Sequence, residues 1–144
     1  MLQTTLIAKV PWDLTSNMAK ETLAVNIKLS THNQVNVSVA INGSVVYSGL
    51  VAKPVDITVD HDFVLFSPQQ ITITKDQGDL VIDHISINNI DLRNLVWHKS
   101  YFTKENIAEP VYGETWMNEA GRWTLPFRSP FWKFMMDWVN GEIR

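Results

Sequence analysis

Alternation of apolar and polar residues is the feature that most constrains the fold, and it runs from Leu23 to about Trp97. In the stretches LAVNIKL and VNVSVAI every second residue is aliphatic, which places those side chains on one face of a strand. The Asn42-Gly43 dipeptide that follows tolerates the positive φ angles of a two-residue hairpin loop, so we predict a hairpin over residues 35–51. The alternation therefore predicts strands that each have one buried face.

Further short alternating segments follow at a spacing of roughly ten residues. They include VDITV, FVLF, ITIT and one or two strands in LVIDHISINNIDLRNLVW, with Pro54 and Pro68 expected at strand starts or edges. The stretch DQGD, residues 76–79, predicts a turn. About seven or eight such strands are typical of an all-β antiparallel β-sandwich or jelly roll. We predict that this domain covers residues 1–97.

The character of the chain changes after Trp97, because residues 98–121 have no clean period. A connection of that length is unusual inside a compact domain, so we predict that residues 98–144 form an extended, aromatic-rich arm with a C-terminal helix. The stretch RWTLPF is a candidate further strand. Ser129 is the predicted helix cap, Pro130 the first helical residue and Gly141 the stop signal.

The predicted helix is apolar on two sides. Residues at i, i+3, i+4 and i+7 spacing form one apolar face, namely Phe131, Phe134, Met135 and Trp138. A second group lies on the other side, namely Trp132, Met136 and Val139. A helix that is apolar on both sides needs two neighbours.

Composition excludes several classes of function. An apolar fraction of 45% and a charged fraction of 19% are typical of a globular protein. The net charge of −3 and the absence of a basic run argue against a nucleic-acid partner. There are no cysteines, so disulfides and thiolate sites are excluded. No stretch approaches the ~18 apolar residues that span a bilayer, and MLQTTLIAKV has no secretory pattern, so we expect synthesis in the cytoplasm and no membrane partner.

No catalytic residue is predicted. The four histidines are far apart, and the sequence has no nucleophile elbow, phosphate-binding glycine loop or zincin pair. In VDHDF the residues Asp60, His61 and Asp62 could ligate a metal only if they shared a face, so we interpret this stretch as a solvated turn. We therefore expect a protein that is not an enzyme.

Three acids are candidate calcium ligands, namely Asp76, Asp79 and Asp83. Calcium takes six to eight oxygen ligands, and a loop with two aspartates around a glycine can supply several of them. The competing interpretation is that KDQGD is a hairpin turn whose Asp and Gly adopt the required backbone angles. Spacing alone favours the turn.

Three segments, VNIKL, VNVSVAINGSVVYSG and ITITKDQGDLVIDHISINNI, resemble the calcium-dependent, xylan-binding family of carbohydrate-binding modules over about residues 23–90. The resemblance places Asp76 as the second residue, the aspartate, of an Asn-Asp pair, and Leu80 and Asp83 as a Leu-x-x-Asp core. It implies a jelly-roll sandwich. The loop after Asp76 is shorter than the family's, and Asp79 stands where Asn is usual, which implies that calcium and sugar binding have been lost.

Domains of this kind that have lost their ligand sites are similar to ones in virion proteins of tailed bacteriophages. The stretch EAGRWTLPFRSPFWKFM is similar to the C-terminal segments of those proteins. Residues 112–138 contain eight aromatic side chains, which represent on the order of 1,200–2,000 Å² of apolar surface. A monomer seldom exposes a contiguous apolar patch above ~300–600 Å². We therefore predict an interface formed by Trp116, Trp123, Phe127, Phe131, Trp132, Phe134, Met136 and Trp138.

These observations predict a structural assembly or decoration protein of a bacteriophage virion, in the capsid or the tail. Its expected partners are other virion proteins in a homo- or hetero-oligomer, and no cofactor is needed. The alternative is a calcium-assisted carbohydrate-binding module whose partner is a surface glycan.

Overall fold

In the computed structural model, which describes residues 19–105 and 109–140, two antiparallel sheets enclose a common core. The strands are β1 (Lys20–Ser30), β2 (Val35–Ile41), β3 (Ser44–Val51), β4 (Val55–Val64), β5 (Pro68–Lys75), β6 (Leu80–Ile87), β7 (Ile90–Asp91), β8 (Tyr101–Lys104), β9 (Val111–Tyr112), β10 (Trp116–Met117) and β11 (Gly121–Arg128). The helices are α1 (Arg93–Lys99) and α2 (Phe131–Val139). Within these described ranges, neither helix is long and apolar enough to cross a membrane.

The two sheets differ in strand order. The first has the order β10-β6-β1-β4, and β7 also pairs with β6. The second has the order β3-β2-β5-β11-β8-β9. This arrangement confirms the predicted all-β antiparallel sandwich with a short C-terminal helix.

The core lies between the sheets and follows the alternation in the sequence. In the first sheet, Val25 and Ile27 of β1 are fully buried in the core. In the second sheet, Val39 and Ile73 are fully buried. Full burial of an aliphatic side chain stabilises a fold by about 1.5–3 kcal/mol. Burial of the aliphatic side chains that alternate along the strands is therefore the main stabilising contribution to the fold.

The predicted turns are confirmed. Asn42 and Gly43 have φ angles of 50° and 83° and connect β2 to β3. The turn at residues 76–79 contains Gly78, where φ is 129° and an added Cβ would lie 2.9 Å from the Gln34 carbonyl oxygen. Pro68 begins β5, as expected of a strand-start proline.

Two local predictions are wrong. Asp60, His61 and Asp62 do not form a solvated turn, because they lie inside β4 and pair with β1. The stretch after β6 was predicted to be strand, but beyond the short β7 it forms helix α1. Leu92, Leu95 and Val96 are buried along one side of that helix, a spacing of three and four residues that fits a helix better than a strand.

The predicted division of the chain at residue 97 is also wrong. Strand β11 pairs with β5 from Gly121 opposite Lys75 to Arg128 opposite Pro68, and it pairs with β8 on its other side. Trp123 and Leu125 of this strand are fully buried between the sheets. Residues 98–105 and 109–128 thus supply strands to both sheets, and they do not form a separate arm.

The predicted interface needs correction because most of its aromatic side chains lie inside the chain's own core. The buried members are Trp123, Phe127, Phe131, Phe134 and Trp138. Three rings form successive edge-on contacts, with 5.4 Å between the centroids of Phe63 and Phe127 and 6.1 Å between those of Phe127 and Phe131. These five side chains therefore cannot form a docking surface in the folded chain.

Helix α2 is held to the start of β1 by a carboxylate. Glu21 Oε2 accepts a hydrogen bond from the Ser129 hydroxyl and another, at 2.8 Å, from the Phe131 backbone N–H. Ser129 was predicted to cap the helix, but its hydroxyl donates to Glu21 instead. The predicted stop residue, Gly141, lies outside the described residues.

Candidate functional site

The predicted calcium ligands Asp76 and Asp79 lie at the two ends of the β5–β6 turn, and each is held by hydrogen-bond donors. Asp76 accepts hydrogen bonds from the Asn36 backbone N–H and side-chain amide, both at 3.0 Å. Asp79 accepts hydrogen bonds from the Thr31 hydroxyl at 2.9 Å and the His32 backbone N–H at 3.1 Å, and its Oδ2 lies 2.5 Å from His32 Nδ1. Both carboxylates therefore tie the β5–β6 turn to the β1–β2 loop and to the start of β2.

These donors also stabilise the charged form of the two acids. The hydrogen bond from the His32 side chain is the main cause that lowers the pKa of Asp79 to about 2. The hydrogen bond from the Asn36 side chain is the main cause that lowers the pKa of Asp76. Carboxylates surrounded by N–H and O–H donors already have their charge compensated.

The three predicted acids do not fit a calcium ion. Asp83 lies exposed on β6 and shares no hydrogen-bond partner with Asp76 or Asp79. In residues 19–105 and 109–140, no three His, Asp or Glu side chains are grouped so that they could hold a metal. Calcium needs six to eight oxygens, whereas the surroundings of Asp76 and Asp79 supply mainly hydrogen donors.

A cleft of about 440 Å³ lies between α1 and the edge of β6, and we call it the Trp97 cleft. Its polar and aromatic wall consists of Asp83, His84, Asp91, Arg93, Asn94, Trp97 and Thr115. Its volume is within the ~300–1,000 Å³ of ordinary ligand pockets. The cleft brings together residues from three separate stretches of the chain.

Backbone contacts fix the walls of the Trp97 cleft. The Leu92 N–H donates to the Ile85 carbonyl at 3.0 Å, which attaches the start of α1 to β6. On the opposite wall, the Ile82 N–H donates to the Thr115 carbonyl at 2.8 Å. Gly113 has a φ of 76°, and an added Cβ would lie 2.8 Å from the Trp97 carbonyl oxygen, so only glycine permits this close approach.

The side chains of the cleft offer an aromatic surface with donors and acceptors around it. Trp97 is 69% exposed, although its neighbours Leu95 and Val96 anchor the helix in the core. Arg93 Nη2 lies 3.2 Å from Asp91 Oδ2, which orients the guanidinium and leaves most of its N–H groups available. The side chains of Asp83 and Asn94 have no hydrogen-bond or ion-pair partner among the described residues, so both can bind a ligand.

Sequence reasoning found only one member of this cleft, Asp83. Most of the missed members lie in residues 84–97, which were predicted to be strand, and two signals could have identified the helix there. Asn88 and Asn89 form a turn with φ angles of 50° and 65°, and Asp91 then accepts a hydrogen bond at 2.8 Å from the Arg93 N–H at the helix start. A turn followed by a helix would have placed Arg93, Asn94 and Trp97 on a short exposed helix.

Three of the predicted interface residues are exposed. Trp132 and Met136 lie on the outer side of α2, with exposures of 67% and 56%. Trp116 lies on β10, at the edge of the first sheet, and is 54% exposed. These side chains are on the surface, as predicted, and their role as an interface stays a prediction.

A second concavity, of about 460 Å³, lies on the outer face of the second sheet. It is lined by hydroxyl and basic side chains, among them Thr72, Thr124, Lys104 and Arg122. Lys104 Nζ is paired with Glu119 Oε1 at 2.9 Å. This surface lacks an exposed tryptophan, so it is a weaker candidate for ligand binding than the Trp97 cleft.

Two solved structures with this fold are both of vCBM60. One is its selenomethionine form, described in connection with two families of calcium-dependent carbohydrate-binding modules linked by circular permutation. That structure has a TM-score of 0.53 and 18% sequence identity, and the match covers 72% of this chain and 89% of that chain. The other is vCBM60 in complex with galactobiose, with a TM-score of 0.48 and 15% identity over 71% of this chain and 96% of that chain. No protein-family model and no curated protein matches the chain. The match to the selenomethionine form shows that the chain shares the β-sandwich fold of vCBM60.

Proposed function

We propose that this chain is a non-catalytic carbohydrate-binding domain and that the Trp97 cleft is its binding site. The observation that carries the proposal is the exposed indole of Trp97, which stands beside Asp83, Arg93 and Asn94 in a defined cleft. The fold shared with vCBM60 supports the same class of function.

The chemistry of the cleft suits a sugar. One face of a pyranose ring presents C–H groups of partial positive charge, which are attracted to the negative face of an indole. Sugar hydroxyls both donate and accept hydrogen bonds. Asp83 offers only acceptors and Arg93 only donors, while the Asn94 amide offers both, so the wall can satisfy hydroxyls of either orientation.

The proposed binding does not use calcium. Asp76 and Asp79 are engaged by Asn36, Thr31 and His32, and the Trp97 cleft offers direct hydrogen-bonding groups in place of a metal. Sugar binding by this chain should therefore be the same in calcium and in chelator.

A glycan array followed by calorimetric titration tests the proposal. We expect Trp97→Ala to weaken binding of the array-positive glycan by at least about tenfold, because a central tryptophan commonly contributes about 2 kcal/mol or more. Trp132→Ala is the matched control, since it removes an equally exposed indole from another surface. The proposal fails if no glycan binds, if Trp97→Ala binds like the parent chain, or if chelator abolishes binding.

A second candidate function is assembly, and the observation that favours it is the exposed outer side of α2. Trp132, Met136 and Val139 are all exposed there, and tryptophan and methionine are enriched at protein interfaces. Sedimentation of the full chain with and without Trp132→Ser tests this function. A concentration-dependent oligomer that the substitution abolishes would support it, and a monomer at all concentrations would refute self-association.

The virion of a tailed bacteriophage is the setting that we predict for either function. Glycan binding on the outside of a particle and docking onto a neighbouring virion protein could then occur on different surfaces of one chain. Mass spectrometry of particles purified from the native source tests this setting, and absence of the chain from them would contradict it.

A further inference from the structure

Trp116 and His32 form a second exposed ring surface at the same edge of the first sheet, and we call it the Trp116–His32 platform. The two ring centroids are 5.6 Å apart with an angle of 50° between the planes. The His32 side chain is 73% exposed, and Trp116 is 54% exposed. The two rings therefore offer a joined ring surface to a ligand.

The platform is held rigidly. Trp116 pairs with Val81 of β6, and the following residue, Met117, is buried in the core. His32 is fixed from the other side, because its Nδ1 lies 2.5 Å from Asp79 Oδ2 and its backbone N–H donates to the same carboxylate. A surface fixed in this way loses little conformational entropy when a ligand binds.

The platform continues the Trp97 cleft along β6. Thr115 lines the cleft, and the next residue, Trp116, begins the platform. Val81 and Asp83 lie on either side of the buried Ile82, at a point where the register of β6 with β1 shifts, and both are at least partly exposed. Because Trp116 pairs with Val81, a ligand seated at Asp83 can extend along β6 toward the ring of Trp116.

The charges beside this path favour an uncharged ligand. Asp83 and Asp91 contribute two carboxylates to the cleft, while the guanidinium of Arg93 is already paired with Asp91. In the cleft two carboxylates stand against one guanidinium, so an acidic sugar would meet net negative charge there and its binding would be unfavourable.

We propose that the ligand is a neutral oligosaccharide chain of several sugar units, seated in the Trp97 cleft and stacked at its far end on the Trp116–His32 platform. This inference rests on the proposed function and adds the length and charge of the ligand. A two-unit sugar fills the cleft alone, whereas a longer chain also covers Trp116.

Calorimetric titration with β-1,4-linked xylose and galactose oligosaccharides of two and six units tests the inference. One ring contact contributes about 0.5–1.5 kcal/mol, so the better-bound hexasaccharide should bind roughly 2- to 12-fold more tightly than its disaccharide. Trp116→Ala should remove that difference and leave the disaccharide affinity unchanged. Trp116→Phe should restore part of it, and hexagalacturonate should bind more weakly than the neutral hexasaccharides.

The possible failures of the two proposals can be told apart. If Trp97→Ala abolishes binding while Trp116→Ala retains the full preference for the hexasaccharide, the platform inference is wrong and the proposed function stands. If Trp116→Ala weakens the disaccharide and the hexasaccharide equally, the platform does not act as a separate ring contact. If the unsubstituted chain binds none of the four neutral oligosaccharides, the platform inference is overturned as stated, and the glycan array decides on the proposed function.

Discussion

Trp123 provides the sharpest test of the corrected architecture, because it lies in the part of the chain that the sequence placed in an arm. Its side chain is fully buried on β11, between β5 and β8. Truncation of a buried tryptophan to alanine typically costs ~3–5 kcal/mol. A domain of this kind has a total stability of about 5–15 kcal/mol, so Trp123→Ala should remove a large part of it.

A second substitution makes the prediction quantitative. Trp123 Nε1 is buried and makes no hydrogen bond to the described residues. Such a group costs about 1–3 kcal/mol. Trp123→Phe removes this buried N–H together with two ring carbons. Burial of the two carbons stabilises the fold by about 1.6 kcal/mol, at about 0.8 kcal/mol each. The two effects nearly cancel, and we expect Trp123→Phe to remain within about 1.5 kcal/mol of the parent chain.

Urea unfolding followed by circular dichroism measures both changes, and Trp132→Ala is the surface control. We expect the control to change the free energy of unfolding by no more than about 0.5 kcal/mol. For Trp123→Ala we also expect the melting temperature to fall by about 6–20 °C. A cost below about 1 kcal/mol for Trp123→Ala, or an equal cost for both alanine variants, would refute the central position of β11.

Two further predictions concern single carboxylates. The Asp79 pKa is lowered from 3.8 to about 2, chiefly by the His32 hydrogen bond, so its stabilising effect should be complete above about pH 4 and disappear as the pH falls to about 2. The difference in melting temperature between the parent chain and Asp79→Asn should therefore shrink over that interval, and a difference independent of pH would contradict this. Glu21→Ala should lower the free energy of unfolding by about 1.5–3 kcal/mol, because Ser129 and Phe131 lose a charged acceptor. Glu21→Gln keeps an acceptor, so it should lower the free energy of unfolding by less than Glu21→Ala in the same urea titration. Equal losses for the two variants would contradict a stabilising role of the Glu21 charge.

Patterns local to a few residues predicted the parts of the fold that depend on local geometry. Asn42-Gly43 predicted the β2–β3 hairpin because few other residue pairs adopt positive φ at both positions. The spacing of Phe131, Phe134 and Trp138 predicted the buried side of α2. In each case the determining residues lie within one turn or one helix.

The position of β11 depends on long-range pairing and was not predicted. Pro126 favours an edge position, since proline cannot donate to a sheet. In the structure β8 pairs only with residues 121–124, so Pro126 lies where β11 has β5 alone as a neighbour. A strand can thus be central at one end and an edge at the other.

The Trp97 cleft escaped prediction for a similar reason. Its walls come from residues 82–85, 91–97 and 113–115, which only the folded sheets bring together. Sequence resemblance drew attention to Asp76 and Asp79 instead, and these acids support the β1–β2 loop by hydrogen bonding. Whether a carboxylate faces a ligand or a neighbouring N–H depends on tertiary contacts.

The separation of β11 from β5 in the sequence also affects synthesis. During translation β2, β3 and β5 leave the ribosome first, and the side of β5 that β11 will cover presents unpaired backbone groups until about residue 128 has emerged. Pairing between β5 and β11 joins residues that are about 50 positions apart, and such non-local pairing is slow. The nascent chain therefore carries an open sheet edge from the emergence of β5 until β11 has followed it, and the second sheet closes only then.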